Sequence, residues 1–235
     1  MNTPITENKL FLPVSVIVAG LLIAGAVVWS DSRPSTAVAP VAGGQGPVAG
    51  TVDIKNVNLD GKPFIGKPNA PITIALWGDY QCVFCKKFET ETLPQLIRDY
   101  VDKGKVKIVF LDFPFLGEDS LTAAVYGRSV WKLYPAQYFA WRTAMYKAED
   151  GSGDQGFGDS SSIDALNATV AGLDSARISA DVKANKAVYE AAANEDRAEG
   201  QKHGISATPS FIIGTELIQG AYPYATFQTA LDALL

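Results

Sequence analysis

One stretch constrains the fold more than any other: "ITIALWGDYQCVFCKKFETETLPQLIRDYVDKG", residues 72–104. It opens with "ITIALW", a short apolar run rich in β-formers, the pattern of a buried strand. Two cysteines follow at once, Cys82 and Cys85, and a helical pattern runs on from Phe84. Pro94 predicts a kink in that helix, and Gly104 its C-terminal stop. "KVKIVFLDF", residues 105–113, reads as the next strand. Strand, helix and strand in this order favour a parallel pair joined by a right-handed crossover. The chain is therefore expected to be α/β.

The remaining pattern fits around that unit. "VDIKNVNL", residues 52–59, alternates like a short strand, and "DGKPFIGKPNAP" has turn chemistry. From about 119 to 203 the pattern is helical, with a break at Pro135. "GSGDQGFGDSS" is a flexible loop with no phosphate-binding pattern and no strand before it. Ser161 with Asp164 predicts a capping box, and further helices are expected over about 162–171, 175–183 and 185–202, ending at Gly204. "PSFIIG" and "ELIQG" flank Gly214-Thr215 as a hairpin. "YATFQTALDALL" closes the chain as an amphipathic helix. Strands on both sides of the helical block are expected to join one sheet.

"FLPVSVIVAGLLIAGAVVWS", residues 11–30, carries no charge and is long enough to cross a bilayer as a helix. A cleaved signal peptide is the alternative, but its apolar core is usually shorter, roughly 7–15 residues. The small-x-small site Ala37-Val38-Ala39 also lies well past the run and is followed by Pro40. A core helix would need an amphipathic pattern, which is missing. We read a short head over 1–10, one transmembrane anchor over 11–30 and a flexible Pro/Gly/Ala/Ser-rich linker over 31–50. The folded domain then spans 51–235. Lys9 and the amino terminus face Arg33 across the span, a weak orientation signal. The short head and long following domain place the folded part on the non-cytoplasmic side of a cell membrane.

The net charge of -5, with no basic run, argues against a nucleic-acid surface. Two cysteines are too few for a disulfide scaffold, and one histidine limits metal chemistry and triad catalysis. Three readings of Cys82 and Cys85 compete. A structural zinc site needs four ligands, and this chain offers two thiols and His203 unless two molecules share the ion; copper(I) could use the thiols alone. A permanent staple would close a very small loop and stabilise little. A redox dithiol needs one exposed thiolate of low pKa and a second thiol close enough to resolve a mixed disulfide. The start of a helix supplies free N–H groups and partial positive charge for Cys82, which is expected in the first turn, and Cys85 lies about one turn on. A strand before the motif and a helix after it favour the redox reading. No cofactor is required.

"GKPNAPITIALWGDYQCVFCKKFE" resembles the active-site region of the DsbA-like thiol–disulfide oxidoreductases, and "GISATPSFIIGTELIQGAYPYATFQTAL" resembles their C-terminal stretch. The resemblance covers about residues 51–235. It implies a thioredoxin-like fold with an inserted helical domain over about 119–203. It also implies a cis Thr208–Pro209 peptide facing the dithiol, with Thr208 and Pro209 in the substrate site. The chain departs from the family pattern in two ways. Val83 and Phe84 replace the frequent Pro and His between the cysteines. Leu76 stands six residues before Cys82, where many relatives carry a buried acid. Asp79 is the nearest carboxylate, read as a turn residue or cap.

Phe84 and Trp77 are candidates for a substrate groove, Trp77 equally for core packing. Trp131, Tyr138 and Trp141 read as helical core. Lys86 and Lys87 read as solvated helix charge, and His203 as a surface residue near helix-end carbonyls. The expected function is a membrane-tethered thiol–disulfide oxidoreductase acting on protein thiols or disulfides outside the cytoplasm, chiefly as a disulfide donor. The resemblance implies a quinone-linked membrane oxidase as redox partner. The alternative is a thioredoxin-like metallochaperone carrying copper or zinc on the same thiols.

Overall fold

A computed structural model describes Val48–Ala49 and residues 52–235. The expected head, the anchor and nearly all of the linker lie outside the described residues. Among the described residues no helix is long and apolar enough to cross a membrane.

Six strands form one sheet: β1 (Val48–Ala49), β2 (Phe64–Ile65), β3 (Ile72–Gly78), β4 (Val106–Asp112), β5 (Ser210–Ile213) and β6 (Glu216–Gln219). Their order is β1-β6-β5-β3-β4-β2. β3 and β4 run parallel, and every other pair is antiparallel. The strand expected in residues 52–59 is instead a 3-10 turn, Ile54–Asn56, capped by Asp53. The edge of the sheet comes from Val48–Ala49, which begins three residues before the expected start of the domain.

Successive strand residues face opposite sides. Ile72, Ile74 and Leu76 of β3 join Ile108 and Phe110 of β4 and Phe211 of β5 in one core. Ala75, Trp77, Val109, Leu111 and Ile212 face the other. The first core is covered by α1 (residues 83–101) and by α6 (Tyr224–Asp232), whose Leu93, Leu96, Phe227 and Leu231 it includes. Helix α1 is a composite of Val83–Lys87, a π turn Phe88–Thr92, Leu93–Leu96 and a second π turn Ile97–Val101. Pro94 has no N–H for the carbonyl of Thr90. The π turn just before it shifts the register, with Leu93 N–H donating to the Phe88 carbonyl.

The helical insert contains α2 (Glu118–Leu133), α3 (Tyr138–Ala148), α4 (Ser160–Asn167) and α5 (Ser175–Lys202). Two sequence expectations are corrected here. The pieces expected over 175–183 and 185–202 are one helix, because neither Gly nor Pro interrupts it before Gly200. The capping residue of α4 is Asp159, which accepts from Ser162 N–H at 2.8 Å; Ser161 already lies inside the helix. The hairpin β5–β6 turns at Gly214, whose φ of 60° suits a two-residue loop.

The insert has its own core, built from Trp141, Met145, Tyr146, Ile163 and Ile178. Cys82, Cys85 and Tyr80 belong to that core and not to either face of the sheet. The dithiol therefore sits where the two halves of the fold meet.

Candidate active site

β3 ends at Gly78, and Asp79-Tyr80-Gln81 carry the chain over the sheet edge to Cys82. Cys82 is the cap of α1: its φ and ψ are -92° and 114°, and its carbonyl accepts from Lys86 N–H at 3.0 Å. The expected place within the first turn is thus shifted to the cap itself. There the sulfur faces the unpaired amides of the helix start. Cys85 lies inside the helix, and the two thiols are not bonded to each other.

β5 runs antiparallel to β3, with Ser210 opposite Trp77. The residues just before β5 must then lie beside the residues just after β3. Thr208 and Pro209 occupy that place, and the peptide between them is cis. The Cys82 thiol donates to the Thr208 carbonyl at 3.4 Å. Cys82 is 5 % exposed, less than a freely accessible nucleophile would be, because this loop lies against it.

The two sulfurs have opposite electrostatics. The Cys82 thiol is lowered from 9.0 to about 7. Hydrogen bonding from Cys85 lowers it most, against burial, and the Thr208 side chain and the amides of Cys85 and Phe84 lower it further. Thr208 Oγ1 is buried and makes no well-aligned hydrogen bond, so it acts as a nearby dipole. Cys85 is pushed well above its ordinary value, chiefly by burial and then by its neighbour Cys82.

Asp79 is more than a turn residue. It is buried, and its carboxylate accepts from the N–H groups of Gln81 at 2.9 Å, Phe115 at 3.0 Å and Leu116 at 3.3 Å. It ties the dithiol loop to the segment between β4 and α2. Burial raises its pKa, and the three amides oppose that. Gln81 Nε2 donates to the Phe157 carbonyl at 2.8 Å, and Lys86 Nζ donates to the Glu149 carbonyl. Lys86 is therefore tied to the C-terminal end of α3, just before the glycine-rich loop, and is not simply solvated.

Phe84 is 59 % exposed and lines a groove of about 730 Å³ with Lys87, Ser206, Thr208, Gln219 and Tyr222. Trp77 is fully buried and donates from Nε1 to the Asp196 carbonyl at 2.9 Å, so it belongs to the core. Trp141 and Tyr138 are core residues, while Trp131 packs against the core from a partly buried position. His203 faces Glu199, with Nε2 3.1 Å from Oε1, and not helix-end carbonyls. Leu76 is an ordinary core leucine, 1 % exposed, against Phe88 and Phe211. Among the described residues no group of three or more His, Cys, Asp and Glu could hold a metal ion.

The thioredoxin family model matches residues 58–233. The chain belongs to the thioredoxin family. Disulfide bond formation protein D of Bacillus subtilis is 25 % identical over 175 residues, which are 74 % of this chain and 78 % of that protein. The crystal structure of oxidised BdbD from Bacillus subtilis superposes with a TM-score of 0.70 at 24 % identity, covering 81 % of this chain and 98 % of that one. The thiol-disulfide exchange protein alpha-DsbA2 from Wolbachia pipientis gives 0.64 at 28 % identity, over 74 % and 87 %. Cys82 and Cys85 occupy the active-site position of this fold. The protein is a thiol–disulfide oxidoreductase, and the absence of a ligand cluster among the described residues does not favour the metallochaperone alternative.

Sequence reasoning missed Tyr146, which shares the buried core of the dithiol, and the buried Glu89–Arg142 pair that reaches it. Glu89 was detectable as the residue four positions after Cys85, on the same helix face. Nothing in the local pattern marked Arg142, because an arginine in a helix ordinarily faces water.

Proposed function

We propose that the protein is a membrane-tethered disulfide donor for protein thiols, working on the non-cytoplasmic side of a cell membrane. The observation that carries the chemistry is the unequal pair: Cys82 at the helix cap with a pKa of about 7, and Cys85 buried behind it. The direction is supported by the name of the Bacillus relatives, disulfide bond formation protein D. The location is supported by the uncharged run over 11–30.

In the donor direction a substrate thiolate attacks Cys82 Sγ of the oxidised pair. The Cys82–Cys85 bond breaks, and Cys85 leaves as a thiolate that takes up a proton. A second substrate thiolate then attacks the substrate sulfur of the mixed disulfide, and Cys82 leaves as a thiolate. The substrate loses two electrons and gains a disulfide; the enzyme is left reduced. Thr208 and Pro209 hold the substrate chain beside Cys82, and Phe84 packs against its apolar side chains. Reoxidation falls to a partner, for which a quinone-linked membrane oxidase fits the reading.

Refolding of a reduced protein substrate, with the reduction potential measured alongside, tests this. The donor reading expects catalysed disulfide formation, loss of it in Cys82→Ser, and a potential nearer about -120 mV than about -270 mV. Full activity in Cys82→Ser would remove the assigned nucleophile, and a potential near the lower value would reverse the direction.

A further inference from the structure

The groove beside Cys82 holds a charge that the exchange chemistry above leaves unused. Helix α1 and the opposite wall of this groove are tied together twice. The Cys82 thiol donates to the Thr208 carbonyl at 3.4 Å, and Thr92 Oγ1 donates to the Tyr222 carbonyl at 3.2 Å. From Cys82 to Thr92 the helix rises about 15 Å, which is the length of about four to five residues of extended chain. Phe84 and Lys87, three residues apart and so neighbours on one helix face, both line the groove from this side. Gln219 lines the other side. Its Oε1 accepts from Ser206 N–H at 3.0 Å and its Nε2 donates to the Gly204 carbonyl at 3.4 Å, so its polar groups are taken up within the wall.

Lys87 is the one charged residue that lines the groove, and no carboxylate lines it. Its neighbour Lys86 is held by Glu149. Lys87 is exposed, and among the described residues no carboxylate lies within ion-pair distance of it, Glu91 four residues on included. The protein as a whole carries a net charge of -5, which disfavours an acidic chain, so this lysine supplies attraction at one place only. That place is fixed relative to the chemistry. Lys87 follows Cys82 by about 7.5 Å along the helix axis, close to two residues of extended chain at about 3.3 Å each. A polypeptide whose sulfur meets Cys82 Sγ and whose chain follows the groove passes Phe84 first and Lys87 next.

We propose that Lys87 selects protein substrates that carry an aspartate or glutamate about two or three residues from the cysteine to be oxidised. The apolar neighbour of that cysteine packs on Phe84, and the carboxylate pairs with Lys87 Nζ. The inference deepens the thiol–disulfide reading and rests on it.

Single-turnover oxidation of short peptides by the oxidised enzyme tests this. Each peptide carries two cysteines and either Glu or Lys, placed two or three residues to either side of one of them. The peptide loses two electrons and closes its disulfide; the Cys82–Cys85 bond takes them up and opens. The readout is the ratio of the Glu-peptide rate to the Lys-peptide rate. Comparing that ratio between enzymes cancels the effect of each charge on its own cysteine and any change in thiol reactivity. At low salt the ratio should be about threefold higher in the wild type than in Lys87→Met, and lower still in Lys87→Glu. The difference should largely vanish at about 0.5 M salt. Lys183→Met removes an exposed lysine of α5, with the same change of net charge, and should keep the wild-type ratio. Equal ratios in the wild type, Lys87→Met and Lys87→Glu would overturn the selection. An equal fall in Lys183→Met would also overturn it, by assigning the preference to net charge. No oxidation of either peptide by the wild type would instead overturn the thiol–disulfide reading beneath it.

Discussion

The Cys82 thiol donates to the carbonyl of Thr208 at 3.4 Å, across 126 residues of chain. Neither residue's local sequence requires the other. The contact exists because β5 lies antiparallel to β3, which brings the start of one strand beside the end of the other.

Cys82 also has a titration consequence, set chiefly by its neighbour Cys85. The Cys82 thiol falls from 9.0 to about 7 in the folded reduced protein. A depressed acid stabilises the fold fully above its unfolded pKa, and the gain is lost as pH falls through about 7. The buried Cys85, raised above its ordinary value, opposes folding only at higher pH. Reduced protein should therefore be about 1 kcal/mol more stable at pH 8 than at pH 6, relative to the same difference in Cys82→Ser. Urea unfolding of both proteins at the two pH values checks this; parallel pH profiles would contradict it.

Gly200 lies where α5 crosses the sheet. A Cβ there would stand 2.9 Å from Trp77 Nε1 and 3.3 Å from Phe113 Cδ2. Gly200→Ala gains about 1 kcal/mol of helix propensity. Overpacking a filled core costs about 1–3 kcal/mol, and displacing the Trp77 Nε1–Asp196 hydrogen bond of 2.9 Å costs about 1 kcal/mol more. The steric cost should win, giving net destabilisation of about 1–3 kcal/mol in denaturant titrations. A gain in stability would mean that the helix and the sheet are free to separate slightly.

Arg128 bridges two carboxylates, at 2.8 Å from Asp112 Oδ2 and 2.6 Å from Asp196 Oδ2, with Lys62 also on Asp196. Burial raises the Asp112 carboxyl to about 6, while Arg128 holds it down. Arg128→Met should cost about 3–5 kcal/mol at neutral pH, because it leaves buried charge unpaired. It also frees Asp112 to rise above about 6. A raised carboxyl loses stability as pH rises towards its folded value, so the deficit should shrink at about pH 5. Calorimetry at the two pH values reads it; an equal deficit at both would show that lost packing, not charge, dominates.

Taken alone, the amino-acid order determined the elements with strong local signals. Short apolar runs rich in β-formers made β3 and β4, two cysteines at a strand-to-helix junction marked the redox pair, and glycine and proline placed most breaks. Shorter signals failed where tertiary pairing or continuity decided. Residues 52–59 alternate like a strand yet form a turn, while two residues of the linker gained strand geometry by pairing with β6. Only the folded chain decided that Asp79 ties down the dithiol loop and that Glu89, Arg142 and Tyr146 are buried together. Local pattern reports what each segment prefers against water. Which charges are drawn out of water together depends on sheet order and helix crossing, and those are properties of the whole chain.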